Sequence, residues 1–220
     1  MPVVTADEAA AIERSVAAFE ARTGVEIVAA VERRSDIYPE VPWRAFALGA
    51  SLAALGALVG ALSNPDWTTP GARLAQAATI LGVGALAALA SMLVPGFGRL
   101  FIRDGRMQEE VRQRAEVVFL ARELFATHGR DAILVLVSRF ERRVVVVPDV
   151  AWRGRVSTAE WGAVVERMTP LLAGDRIVEA FGAGFDAIGT LVEAKGAGGG
   201  SPRQLLSDTL VQGDDAAGTR

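Results

Sequence analysis

Two aspartates near the ends of apolar segments are the residues of this sequence best placed to do chemistry. Asp149 follows the apolar run "VVVVP", and Asp36 lies in "RRSDIYPE", directly after an earlier apolar run. Carboxylate oxygens at such positions can ligate Ca²⁺ or Mg²⁺ or take part in metal-assisted phosphoryl chemistry. If the two runs are neighbouring strands, Asp36, together with Glu40, would face Asp149. Asp149 and Asp36 are therefore the candidate metal ligands, Ca²⁺ or Mg²⁺ is the candidate cofactor, and no residue is assigned as catalytic.

Each of these residues also has a simpler interpretation. Asp149 could cap a loop by bonding its own backbone, as aspartates in turns often do, and Asp36 could belong to an ordinary polar loop. Arg153 and Arg155 flank the Asp149 loop and could hold a phosphate or a lipid head group, or they could be surface charge. The sequence leaves these alternatives open.

The composition excludes several classes of site. The chain has no cysteine, so disulfides, thiol catalysis and cysteine metal sites are absent. His128 is the only histidine, which excludes histidine-rich metal sites and argues against a Ser-His-Asp triad. The net charge of −3 gives no basic field for nucleic acid. Phosphate-binding glycine loops and the G-x-S-x-G nucleophile motif are also missing from the sequence.

The middle of the chain carries two long apolar runs, Ala45–Ser63 without a charge and Leu74–Phe97 with one polar amide, Gln76. About 20 apolar residues cross the hydrocarbon core of a bilayer. The alternative is a pair of buried helices in a soluble bundle, but soluble helices of this length usually have a polar face. We therefore predict a transmembrane hairpin. Gly56 and Gly60 form a G-x-x-x-G pair that would let its helices approach closely.

Arginines predict the orientation of this hairpin. The segment between the runs contributes one, Arg73, whereas eight flank the outer ends: Arg33, Arg34, Arg44, Arg99, Arg103, Arg106, Arg112 and Arg114. Positive residues favour the cytoplasmic side, so both termini are predicted to be cytoplasmic. Neither run carries an ionisable residue, which is typical of an anchor rather than of a transport pathway.

The flanking segments predict one α/β domain. Thr5-x-x-Glu8 and Ser157-x-x-Glu160 are capping boxes that start helices. The full order is helix, strand (Val25–Glu32), membrane hairpin, helix (Met107–Ala126), two strands (Ala132–Ser138 and Val144–Asp149) that form a hairpin, and two helices, the last capped by Asp175. Two membrane spans return the chain to the side it left, so the first strand can join the later ones in one sheet.

Four regions follow from this order. Residues 1–43 and 99–195 are the two parts of the α/β domain, residues 44–98 are the hairpin, and residues 196–220 are a flexible tail that begins with "GAGGGSP" and has a short helical turn near Leu205.

The chain resembles the TPM domain family. The resemblance lies in "AAFEARTGVEIVAAVE", in "AEVVFLARELFATHGRDAILVLVSRFERRVVVVPDVAW", in Trp161 and in "FGAGFDAIGTLV". It implies a three-layer α/β/α sandwich with a small mixed, mostly parallel sheet, and Asp149 matches an acid at a strand end in that family. Family members include photosystem II repair factors, one with acid phosphatase activity, calcium-binding proteins and an auxiliary receptor subunit. Many of them expose the domain outside the cytoplasm, unlike the orientation predicted here.

The sequence thus predicts a multi-pass protein of the bacterial inner (plasma) membrane that presents a TPM-like domain. The expected role is a non-catalytic binding or assembly factor, with the lipid bilayer and a membrane protein as partners and without nucleic acid. The alternative is a membrane-tethered, metal-dependent, phosphatase-like hydrolase with Asp149 and Asp36 at the metal, so the question of enzymatic activity stays open.

Overall fold

Helices account for most of the chain in the computed structural model, which describes residues 3–35, 38–63, 69–127, 129–196 and 210–213. The chain divides into two compact units, residues 1–36 with 107–220 and residues 37–106. The helices are α1 (Ala6–Thr23), α2 (Glu40–Ser63), α3 (Pro70–Leu93), α4 (Pro95–Arg99), α5 (Asp104–Ala121), α6 (Thr158–Ala173) and α7 (Ile177–Ala194). The strands are β1 (Ile27–Glu32), β2 (Ile133–Ser138), β3 (Arg143–Pro148) and β4 (Leu210–Gly213).

Both predicted capping boxes are formed. The Thr5 hydroxyl accepts the Glu8 N–H at 3.2 Å while the Glu8 carboxylate accepts the Thr5 N–H at 2.7 Å. Ser157 and Glu160 make the same reciprocal pair at the start of α6. Gly24 ends α1 in the left-handed conformation, with φ 69°. Local side-chain chemistry therefore fixes these helix ends as the sequence predicts.

The sheet has the strand order β3-β2-β1-β4. β1 pairs in parallel with β2 from Ile27↔Ile133 to Glu32↔Ser138. β2 pairs with β3 in antiparallel fashion from Ile133↔Pro148 to Ser138↔Arg143. The predicted α/β class, the β2–β3 hairpin and the joining of the first strand to the later ones are confirmed.

The C-terminal tail differs from its prediction, because residues 210–213 are a strand. β4 pairs in parallel with β1 from Ala29↔Leu210 to Glu32↔Gly213. Without it, this edge of β1 would leave backbone N–H and C=O groups without sheet partners. The predicted helical turn near Leu205 lies outside the described residues.

Alternating residues of the strands build two apolar cores. Ile27, Ala29 and Val31 of β1 share a core with buried side chains of α1, α6 and α7. Val28 and Ala30 share a second core with α5. β2 and β3 alternate in the same way, as the period of two in a strand requires. Helices therefore pack against both alternating sets of strand side chains.

Two helix ends differ from the predictions. Asp175 does not cap α7, because it adopts φ 58° and Arg176 occupies the cap position. Its carboxylate instead accepts a hydrogen bond from Arg139 at 2.7 Å. α5 ends at Ala121 rather than Ala126, and Glu123 follows with φ 52°.

In the second unit, α2 and α3 approach most closely at glycines other than the predicted pair. A Cβ at Gly49 would lie 2.8 Å from Ala87 Cβ, and one at Gly84 would lie 2.8 Å from the Phe46 ring. A Cβ at Gly56 or Gly60 would have no neighbour within 4 Å. The prediction that Gly56 and Gly60 bring these helices together is wrong.

Candidate functional site

Most of the exposed large apolar side chains among the described residues lie on the helices α2 and α3. Both have 24 residues and are long and apolar enough to cross a membrane. At 1.5 Å per residue each is about 36 Å long, against about 30 Å of hydrocarbon. Their large apolar side chains are mostly exposed, including Leu48, Leu52, Leu55, Leu58, Leu62, Leu81, Leu86, Leu89 and Leu93. A core helix of a soluble protein would bury such side chains.

Polar contacts lie at the end of this helix pair that is remote from the connecting segment. Arg106 forms an ion pair with Glu40 and lies over the Tyr38 ring, 5.7 Å from its centroid. Arg44 donates to the Phe101 carbonyl at 2.7 Å. Trp43 is 74% exposed beside Phe46. This end therefore combines arginines and an exposed indole, the residue types enriched at membrane interfaces.

Asp149 serves as a cap in the structure. Its carboxylate accepts the Val150 N–H at 2.6 Å and begins the short 3-10 turn Val150–Trp152. Arg130 donates two hydrogen bonds to the same carboxylate in a bidentate pair, from Nε at 2.9 Å and from Nη2 at 3.0 Å. The Asp149 side chain is 4% exposed. Its oxygens therefore face protein donors, as the simpler of the two sequence interpretations expects.

Opposing effects act on the pKa of Asp149. Burial raises it, whereas hydrogen bonds from Arg130 and the Val150 N–H, with the charges of Arg130 and Arg153, lower it. The lowering prevails, so the carboxylate is ionised at neutral pH. Arg153 thus acts on Asp149 through its charge, and Arg155 is exposed.

Asp149 and the residues after β1 lie at opposite edges of the sheet, which here means the two edges formed by the ends of the strands. Because β3 is antiparallel to β2, the end of β3 lies where β1 and β2 begin, and Asp149 N–H donates to the Ala132 carbonyl. The other edge holds Glu32 and Ser138, about 17–20 Å away along six residues. Asp36 lies outside the described residues, but its neighbour Ser35 bonds at that other edge. The predicted approach of Asp36 and Glu40 to Asp149 stays a prediction, because Asp36 lies outside the described residues and Glu40 belongs to the other unit.

A buried polar group at that other edge escaped the sequence predictions. We call it the strand-end cluster: Glu32, Ser35, Ser138 and Glu141. Glu32 and Glu141 are 2% and 3% exposed, and Ser138 is fully buried. The two strands end on the same face, since Glu32 pairs with Ser138. The signal was present in the sequence, where each apolar run ends in a polar residue.

Specific donors hold the carboxylates of the strand-end cluster. Arg114 of α5 donates from Nε to Glu32 Oε1 at 2.9 Å, and its Nη2 forms an ion pair with the same oxygen at 2.8 Å. Glu141 accepts the Ser35 N–H at 3.0 Å and the Ser138 hydroxyl. The carboxyl ends of parallel strands are where open α/β sheets commonly bind ligands. Here the observed contacts instead stabilise two segments, the chain directly after β1 and the turn between β2 and β3.

No group of three or more Asp, Glu, His or Cys side chains converges within residues 3–35, 38–63, 69–127, 129–196 and 210–213. His128 lies outside these ranges.

Comparison with known proteins gives a likeness in fold. No family model matches the chain, and no curated protein matches it. The NMR structure of the BA42 protein from the psychrophilic bacterium Bizionia argentinensis is similar, with a TM-score of 0.56 and 14% identity. The match covers 96% of this chain and 95% of that one. At this identity the likeness concerns the fold alone.

We expect Asp149→Asn to lower the free energy of unfolding by about 1–2 kcal/mol at pH 7. The substitution removes the negative charge and so weakens the charge-assisted hydrogen bonds that the half-exposed Arg130 donates. The pKa of Asp149 is depressed in the folded state. The stabilisation should therefore be complete above the unfolded pKa of about 3.9 and disappear as pH falls through the folded pKa. Thermal unfolding of parent and variant between acidic and neutral pH measures this.

Asp175→Asn is the matched control for this experiment, because Asp175 also pairs with an arginine but its side chain is 74% exposed. It should change stability by less than about 0.5 kcal/mol. A parent protein that gains stability from Ca²⁺ or Mg²⁺, with the gain lost in Asp149→Asn, would support metal binding instead.

Proposed function

We propose that this protein is a multi-pass protein of the bacterial inner membrane whose α2–α3 hairpin spans the bilayer. The hairpin would be inserted into a TPM-like, three-layer α/β/α domain that acts as a non-catalytic binding or assembly factor for another membrane protein. The exposure of the apolar side chains on two 24-residue helices carries this proposal, since a water-exposed apolar surface of this extent would be unfavourable.

The sheet register supports the insertion of the hairpin. β1 precedes α2 and β2 follows α3, yet the two strands pair over six residues. An even number of spans returns the chain to the same side of a bilayer. One sheet can then be built from segments on both sides of the hairpin.

The contacts of the acidic residues favour a binding role over hydrolysis. Asp149 would have to leave Arg130 and the Val150 N–H before it could ligate a metal through those oxygens. A second ligand from the segment after β1 would start from the opposite edge of the sheet. The metal-dependent hydrolase thus requires a rearrangement that the binding role does not.

Single cysteines test the membrane topology, because the natural chain has none. Thr68→Cys lies in the segment between the helices, and Ala194→Cys lies at the exposed end of α7. In right-side-out vesicles an impermeant maleimide should label Thr68→Cys, and inverted vesicles should give labelling of Ala194→Cys. The reverse pattern would overturn the orientation, and labelling of both positions from one side would contradict a spanning hairpin.

Cross-linking in native membranes tests the binding role. We expect a defined membrane protein to be joined to the intact chain, and exposed positions in the α/β unit to be the points of attachment. Recovery of the protein always alone would contradict the binding role. Phosphomonoester hydrolysis that depends on Ca²⁺ or Mg²⁺ and is lost in Asp149→Asn would establish the hydrolase.

A further inference from the structure

The chain changes direction where the second apolar helix ends. Val94 adopts an extended conformation, with φ −111° and ψ 99°, between α3 and the short helix α4. A Cβ added to Gly98 of α4 would lie 2.6 Å from the Ser91 carbonyl oxygen in α3 and 3.9 Å from Val41 Cγ1 in α2. Helix α4 therefore packs against the ends of α2 and α3 instead of extending α3. We call residues 94–103 the elbow.

A hydrogen bond joins Arg44 of α2 to the elbow. Its Nη1 donates to the Phe101 carbonyl at 2.7 Å, and the Phe97 and Phe101 rings pack edge to face with their centroids 5.2 Å apart. Arg99 and Arg103 are each two residues from Phe101, so their Cα atoms lie within about 7 Å of the Phe101 Cα. Three arginines of the same unit are therefore brought together at the elbow.

Positive charge exceeds negative charge at this end of the hairpin. Among the described residues of the second unit, four arginines and two carboxylates lie here: Arg44, Arg99, Arg103, Arg106, Glu40 and Asp104. Arg106 is paired with Glu40, and both Arg44 and Arg103 are exposed. The elbow thus presents an excess of positive charge to its surroundings, which favours an anionic partner.

Exposed apolar side chains adjoin these arginines. Trp43, Leu93, Val94 and Leu100 are each more than half exposed, and they continue the exposed apolar surface of α2 and α3. A phosphate ion or a polar acidic peptide would satisfy the arginines but would leave these apolar side chains in water. An anionic lipid supplies phosphate oxygens for the arginines, while its acyl chains cover the apolar side chains. Both kinds of side chain are therefore satisfied by lipid.

We propose that the elbow, together with Arg44, binds the phosphate group of an anionic lipid in the membrane that the hairpin spans. The inference rests on the proposed membrane location of the hairpin and adds the lipid class. Arg44 and Arg103 donate charge-assisted hydrogen bonds to the phosphate oxygens, and Trp43 and Leu100 contact the upper part of the acyl chains. A basic residue near an anionic membrane surface strengthens binding about fivefold.

Quenching of Trp43 by brominated lipids tests the proposal on the full chain. Trp67→Phe leaves Trp43 as the only tryptophan of residues 37–106. The variant is reconstituted in vesicles of equimolar phosphatidylglycerol and phosphatidylcholine, in which one lipid or the other is brominated on its acyl chains. We expect phosphatidylglycerol to be favoured about five- to tenfold at Trp43. Trp43→Phe in the same background gives the signal of Trp152 and Trp161, which is subtracted.

Substitution of the two exposed arginines separates this site from a general attraction to the membrane. Arg44→Gln with Arg103→Gln should reduce the preference to about twofold or less, because both cations are lost. Arg103→Lys should keep more of the preference than Arg103→Gln, since a cation remains. Arg73→Gln is the matched control, because Arg73 is also exposed but lies in the first turn of α3, at the other end of the hairpin. It should leave the preference at Trp43 unchanged.

The outcomes distinguish lipid from other occupants. Equal quenching by the two lipids, or a preference that survives in Arg44→Gln with Arg103→Gln, would overturn the anionic-lipid site. No quenching by either lipid, with Trp43 also shielded from iodide in the aqueous phase, would identify a protein on this surface and overturn lipid binding. Extraction of the parent by alkaline carbonate would contradict the membrane location itself. Retention in the membrane with equal quenching would overturn the lipid site alone.

Discussion

We expect Leu55→Arg, one charge near the middle of α2, to remove most of the protein from the membrane fraction. On insertion scales a central arginine costs about 2.5–3.5 kcal/mol, which is roughly a hundredfold in an equilibrium. Leu55 is 57% exposed, so the same change in a water-soluble helix pair should alter stability by only about 0.5 kcal/mol. The protein resistant to alkaline extraction, together with the total yield, measures the effect.

Leu120→Arg is the matched control for the membrane experiment. Leu120 lies on α5 and is 62% exposed, so its side chain has a similar setting in the other unit. It should leave membrane retention and yield unchanged. If Leu55→Arg gave a folded protein with the parent's extraction behaviour, α2 would not cross the bilayer.

Arg114→Met should strongly destabilise the α/β unit, by about 2–3 kcal/mol. The Glu32 side chain is 3% exposed and Arg114 is 27% exposed, and removal of one partner of such a pair is costly because the carboxylate stays buried. A lower thermal midpoint, followed by tryptophan fluorescence in detergent, measures this. Trp152 is a suitable reporter because it is buried against Trp161.

A second substitution shows whether charge or packing causes this loss. Glu32→Gln in the Arg114→Met background removes the buried charge, so the double variant should recover about 1–2 kcal/mol. Arg114→Lys should lose less than Arg114→Met, because a cation remains. If the double variant were no more stable than Arg114→Met, the apolar stem of Arg114 would be its main contribution.

Local patterns account for most of the fold that could be predicted. Thr5 with Glu8 and Ser157 with Glu160 mark helix starts through contacts three residues apart, so no tertiary knowledge is needed. That β1 can join the later strands was predicted from the even number of apolar runs between them, whereas its parallel pairing with β2 was not. β4 could not be predicted, because four residues in a polar tail carry too short a pattern.

The candidate site was harder to predict because it depends on strand direction and on single backbone conformations. The β2–β3 hairpin places Asp149 at the end of the sheet where β2 begins, whereas the segment that leads to Asp36 leaves β1 at the other end. The pairing of Asp149 with Arg130 could not be predicted from the sequence, because Arg130 reaches Asp149 from a left-handed backbone conformation, with φ 50°.

The register of β1 with β2 also sets the order of events during synthesis. Ile27 finds its partner Ile133 only after the apolar helices between them have been made. Roughly a hundred intervening residues take about 5–20 s to translate. During that interval the first strand has no sheet to join, so the α/β unit can close only on chains whose two apolar helices have already been synthesised. On the proposed topology, a chain that inserts only one of the two helices leaves β1 and β2 on opposite sides of the membrane. After such a failed insertion the α/β domain would stay unfolded, and proteases could degrade the chain before it binds a partner.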